Sequence, residues 1–178
     1  MNLLDPRSDA DRGTYLEVEG RPALRFRRTY PHPPEKVWAA VSTPAGLKNW
    51  FPGTVTLEPH QGGAMTFAMD PHAPAGTGTV LVWEPPHRFS FTWYEDEVSL
   101  VLAPEGDGCA LTLTNVLSER TAAARNGAGW HVCLGELTKH LDGVPDTDPM
   151  AGGADTWQPL YEAYVAAGLP AGADVPNG

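Results

Sequence analysis

The sequence predicts an α+β domain in which an antiparallel meander of about seven strands is followed by one long amphipathic helix. Three observations carry this: apolar and polar residues alternate from about residue 51 to 116, clusters of Gly, Pro and acidic residues punctuate that stretch, and the spacing then changes to three and four at Trp130, Cys133, Leu134, Leu137 and Leu141. Alternation sends successive side chains to opposite faces of a sheet, whereas the longer period gathers them on one stripe of a helix.

Residues 1–13 are polar and aperiodic and read as a flexible arm. Residues 15–30 read as two strands broken at Gly20, with Leu24, Phe26 and Tyr30 on one side and Arg25, Arg27 and Thr29 on the other. Strict alternation turns Arg28 inward, where a guanidinium needs an anion, either a ligand carboxylate or an internal acid. The alternative is an edge position with the head group reaching water.

His32-Pro33-Pro34 ends that segment, because proline cannot donate to a sheet ladder, and Pro34 suits the first turn of a helix whose stripe is Val37, Trp38 and Val41. Thr43 offers a cap oxygen and Pro44 a preset φ, so a second short helix is expected through Leu47 to Trp50. The strand runs that follow are 55–58, 64–70, 77–84, 88–94, 98–104 and 109–116. Met65, Phe67 and Met69 share a side, as do Leu81 and Trp83, and Phe89, Phe91 and Trp93, which makes one sheet face strongly aromatic.

The long helix starts on one side or the other of Asn126-Gly127-Ala128-Gly129, which could break it and leave residues 118–125 as a separate turn or helix. Residues 143–154 have the composition of a linker. Asp155-Thr156-Trp157-Gln158 then resembles a capping box, and Trp157, Leu160, Tyr161, Tyr164 and Val165 form the stripe of a last short helix. Residues 171–178 have little to bury and are expected to fray. The tail helix has three arrangements open to it: packing on its own domain, covering a cavity, or docking on another chain, a homodimer included.

Composition narrows the function. Of 178 residues 42% are hydrophobic and 19% charged, enough for one core, and the 19 glycines and 18 prolines stay below the level of low-complexity disorder. Twelve Lys and Arg against 22 Asp and Glu give a net charge of -10, which opposes attraction to phosphate backbones and anionic bilayers; nucleic acid and membrane are not expected partners. No apolar run approaches a membrane span and the first residues lack a cationic leader, so a cytoplasmic location is expected. Cys109 and Cys133 stand far apart without a C-x-x-C neighbour and are expected to be reduced, buried thiols.

A resemblance rests on Pro34-Glu35-Lys36-Val37-Trp38, on Thr43-Pro44 leading to Leu47 and Trp50, and on the Gly62-Gly63 turn before Met65-Thr66-Phe67. It continues through Pro85 and Pro86 with Arg88-Phe89-Ser90-Phe91-Thr92-Trp93, then Leu111-Thr112-Leu113-Thr114, and ends at Trp130 with Leu134 and Leu137. In this order these pieces resemble the START-like helix-grip (SRPBCC) superfamily, in its activator of heat-shock ATPase homologue branch, over residues 14–142. The resemblance implies a sheet curved around the long helix with an apolar space between them, and leaves residues 143–178 unaccounted for.

The function expected from this is non-catalytic binding of a hydrophobic small molecule in that space. Phe67, Met69, Leu81, Trp83, Phe91, Trp93, Trp130 and Leu134 are the expected lining, with Arg28 as a polar anchor. The same side chains could equally fill the space as an ordinary core. A second reading, an enzyme of the polyketide cyclase or aromatase kind, needs an acid–base pair inside, for which His131 and Tyr94 are the candidates. A third is a protein-interaction module of the chaperone-activator kind.

No catalytic residue, metal site or cofactor is predicted. His32, His60, His72 and His87 fall beside prolines or in turns, where solvated imidazoles are expected, and Glu136 with His140 lacks a third ligand. His131 and Cys133 are two helical steps apart and point to opposite sides. The G-x-S-x-G, P-loop and dinucleotide motifs are absent, and Asp70, Glu84, Asp96 and Glu97 lie near strand ends, where acids commonly form turns and protect edges.

Overall fold

The computed structural model describes residues 11–68, 75–149, 151 and 153–174. Glu19 and Gly20, both at positive φ, turn β1 (Thr14–Val18) back on β2 (Arg21–Tyr30), so the segment broken at Gly20 contributes a hairpin. Among the described residues the sheet therefore has eight strands, where about seven were expected. After β2 come α1 (Pro34–Ser42) and α2 (Pro44–Leu47), then β3 (Thr54–Leu57), β4 (Ala64–Ala68), β5 (Gly76–Glu84), β6 (Arg88–Trp93), β7 (Asp96–Glu105) and β8 (Gly108–Val116). A 3-10 turn (Arg120–Ala122) leads directly into α3 (Ala123–Leu141), and α4 (Gly153–Ala166) closes the chain.

Strand order is β1-β2-β8-β7-β6-β5-β4-β3, all antiparallel, so the first hairpin pairs with the last strand and the curved sheet remains open between β1 and β3. The helix starts follow local chemistry. Thr43 Oγ1 accepts from Gly46 N at 3.0 Å, and a Cβ on Gly46 would come within 2.4 Å of the Ala39 carbonyl oxygen, so α2 sits on α1 only because that residue is glycine.

The long helix is not broken by its glycines. It runs through Gly127, which lies against Tyr164 and Leu169 of the tail. α4 begins at Gly153, before the expected capping box, and buries Leu160 and Tyr164 to 1% exposure on its own domain. The tail is also firmer than its composition suggested as far as Asp174: Pro170 O accepts from Ala124 N, a first-turn donor of α3 that the helix itself does not satisfy, Ala173 N donates to Thr121 O, and Arg125 Nη1 donates to Asp174 O. No described helix is long and apolar enough to cross a membrane.

Candidate functional site

α3 lies across the aromatic sheet face, and rings fill the interval between them. Phe67 on β4, Phe91 on β6 and Trp130 on α3 are at most 2% exposed, Leu134 is fully buried, and Trp93 at the end of β6 is half-buried. Their centre is Phe51, just beyond α2, whose ring centroid lies 6.0 Å from Phe67, 6.2 Å from Phe91, 5.7 Å from Trp93 and 5.9 Å from Trp130. Sequence reasoning gave Phe51 no place in the site; the available signal was a Trp50-Phe51 pair directly after a capped short helix.

Other expected lining residues fall elsewhere. Trp83 stacks edge-on with Trp38 of α1 and with Phe89, each at 5.2 Å, and forms a second aromatic group. Leu81 occupies a bulge: the register shifts between Val80 and Val82, so Val80 takes the buried place opposite Phe91 and Leu81 does not join the core cluster. Met69 lies outside the described residues, as do Asp70 and His72. Arg28 pairs in register with Leu111, well along the sheet from Trp93, which pairs with Asp96, so the structure does not bring Arg28 to the aromatic end.

The polar component of that end is one that sequence reasoning missed. Asn115 has the inward parity of Leu111 and Leu113 and is fully buried; an amide at an apolar register position was the signal. Its Oδ1 accepts from Trp130 Nε1 at 3.0 Å and from Asn126 Nδ2 at 3.2 Å, while its Nδ2 donates to Asp96 Oδ2 at 3.0 Å. Asp96 also accepts from Asn126 Nδ2 at 3.3 Å and from Ser118 N and Oγ at 2.8 Å each. The carboxylate is thus a hub that ties β7 to the entry of α3. Beside it, Trp93 Nε1 is buried and has no hydrogen-bond partner among the described residues.

The acid–base candidates are not brought together. His131 is fully buried on another flank of α3, with Nδ1 2.9 Å from the Tyr164 hydroxyl, whereas Tyr94 is 53% exposed at φ +54. Burial pushes the Tyr164 phenol up to about 12. Cys109 and Cys133 are free and buried, and burial raises both thiols. Glu136 accepts from Lys139 Nζ at 2.8 Å and from Asp148 N, and no group of three metal-ligating side chains occurs among the described residues. His60 and His87 are exposed as expected, while His32 is half-buried beside Asp142.

A pocket of about 400 Å³ opens away from the aromatic end, between α3, residues 144–149 and α4, where Val132, Glu136, Lys139, Val144, Thr147 and Thr156 line it. It does not coincide with the space between sheet and helix.

Residues 31–142 match the family model described as Activator of Hsp90 ATPase homolog 1-like protein. No match was found among curated proteins. Among solved structures, CalU16 from Micromonospora echinospora is 26% identical, with 86% of this chain and 94% of that one covered and a TM-score of 0.66. DynU16, from the dynemicin biosynthetic locus, is 25% identical over 68% of this chain and 47% of its own, with a TM-score of 0.60. The Aha1 dimer from Colwellia psychrerythraea shares the fold at 20% identity, covering 69% and 98% with a TM-score of 0.59.

Proposed function

The chain belongs to the Activator of Hsp90 ATPase homolog 1-like family, within the helix-grip fold, and on that premise we propose that it binds a hydrophobic small molecule, without transforming it, at the aromatic end of the interval between sheet and α3. The observation that carries this reading is the Trp93 indole N–H, buried among rings and without a partner among the described residues. A buried donor left unpaired costs about 1–3 kcal/mol, and a ligand acceptor would recover that cost. Phe51 occupies the centre of the ring cluster, so a ligand enters by displacing Phe51 and Trp93, the half-buried member. Non-catalytic binding is favoured over cyclase chemistry because His131 and Tyr94 point to different surroundings and Asp96 is engaged by four donated hydrogen bonds. The homodimer considered for the tail draws no support from α4, whose Leu160 and Tyr164 are covered by their own domain.

Two measurements test the reading. Native mass spectrometry is expected to find a small molecule retained by the purified protein and lost from Trp93→Phe. Titration with the neutral dye N-phenyl-1-naphthylamine is expected to give saturable fluorescence at one site. An empty protein that leaves the dye's emission unchanged overturns the proposal.

A further inference from the structure

The chain that follows the family-matched residues 31–142 builds a pocket of its own against α3. Gly143, at φ +84, ends that helix: its N–H donates to His140 O at 3.1 Å, and Val144 N donates to Lys139 O at 3.0 Å. Residues 144–149 then double back along the helix, where Asp148 N donates to Glu136 Oε2 at 3.3 Å. Thr156 of α4 closes the other side. The enclosed volume of about 400 Å³ suits one small organic molecule.

Two side chains of its wall are poised toward a ligand. Thr147 is 9% exposed, and its hydroxyl oxygen is buried with no hydrogen-bond partner among the described residues. A ligand that satisfies such a group recovers the cost of having desolvated it. The Glu136 side chain is only 13% exposed, and the cation that meets its Oε1 at 2.8 Å is Lys139, whose side chain is 37% exposed and long enough to turn to water. Charge sets the sign of the ligand. Glu136, Asp146 and Asp148 line the pocket against Lys139 alone, and residues 143–178 carry five acids and no Lys or Arg. An anion drawn to Lys139 would face those carboxylates, whereas a cation is attracted by all of them. Val132 and Val144 add an apolar surface.

We propose that this pocket binds an organic ammonium, a protonated amine carried on a short apolar body, and that Lys139 holds the ammonium's place beside Glu136 until the ligand displaces it. The ligand's N–H groups donate to the Glu136 carboxylate and to Thr147 Oγ1, and its apolar body lies on Val132 and Val144. The pocket is separate from the aromatic end and does not depend on the reading given for it.

The test uses the full chain and hexylammonium at neutral pH, with hexanol as the uncharged control and hexanoate as the control of opposite sign, by isothermal titration calorimetry. Hexylammonium is expected to bind at one site at least tenfold more tightly than hexanol, and hexanoate to show no saturable binding. Glu136→Gln, which keeps the size of the side chain, is expected to weaken hexylammonium at least tenfold. Thr147→Val is expected to weaken it several-fold while the melting temperature stays level or rises, because the hydroxyl it removes is unsatisfied without ligand. Lys139→Met, which removes the competing ammonium, is expected to tighten hexylammonium several-fold; an ion pair that serves only the fold would change the melting temperature and leave the affinity where it was. Equal binding of hexylammonium and hexanol, or an affinity unmoved by both Glu136→Gln and Lys139→Met, overturns the proposal. Such a failure leaves the neutral-dye experiment at the aromatic end unaffected.

Discussion

Trp130 Nε1 donates to Asn115 Oδ1 at 3.0 Å, a fully enclosed hydrogen bond that fastens the long helix to the last strand at the end where the rings converge. The same amide oxygen accepts from Asn126, and the amide nitrogen donates to Asp96. One side chain thus satisfies three others.

Removing it should be costly. Asn115→Ala leaves the Trp130 indole N–H buried and unpaired and withdraws a donor from Asp96, a loss of about 2–3 kcal/mol. Urea denaturation measures this, with Thr112→Ala on the outward side of the same strand expected within about 0.5 kcal/mol of the parent. Equal midpoints for the two variants would show that the network contributes nothing.

Phe51→Ala empties the centre of the ring cluster. The expected destabilisation is about 3–5 kcal/mol, and the cavity left behind should be dry and able to take benzene, seen as a rise in melting temperature on adding it. A variant that melts with the parent would place Phe51 outside the core.

Alkaline stability follows from burial. The Tyr164 phenol is pushed from 10.0 up to about 12 by desolvation, so between those values the unfolded chain has lost a proton that the folded chain keeps. Stability is intact below pH 10 on this account and falls as the pH rises toward 12. Burial of Tyr30 acts in the same direction. Tyr164→Phe should therefore show a shallower decline in urea midpoint between pH 10 and 12; parallel profiles would contradict the assignment.

Truncation after Gly143 removes the cover of Leu160 and Tyr164, the Pro170 carbonyl that accepts from Ala124 N, and the hydroxyl that holds Gly13. Losing the two buried side chains alone amounts to about 3–6 kcal/mol. Thermal melting is expected to shift down, and amide exchange at Gly13 and Ala124 to accelerate. An unchanged melt would mean that α4 merely lies on the surface.

Much of the architecture is legible locally. Thr43 caps α2 as its position before Pro44 implies, and the alternation through Phe89, Phe91 and Trp93 does select one face. Leu81 fails because a single extra residue at a bulge reverses parity, and nothing in Val80-Leu81-Val82 marks where the ladder slips. Asn115 could be picked out as an amide among inward leucines, but its partners Asp96, Asn126 and Trp130 come from three other segments.

The sequence by itself determined the order and type of the elements, the aromatic character of one sheet face and the membership of the fold family, because periodicity, capping and turn chemistry act within a few residues. Only the tertiary structure decided that Phe51 fills the interval under α3, that the Trp93 N–H is buried with no partner among the described residues, and that residues 11–13 lie over Arg28. Those outcomes depend on how distant segments approach one another, and the direction of a loop or the height of a helix above a sheet is settled by the packing of all its neighbours at once.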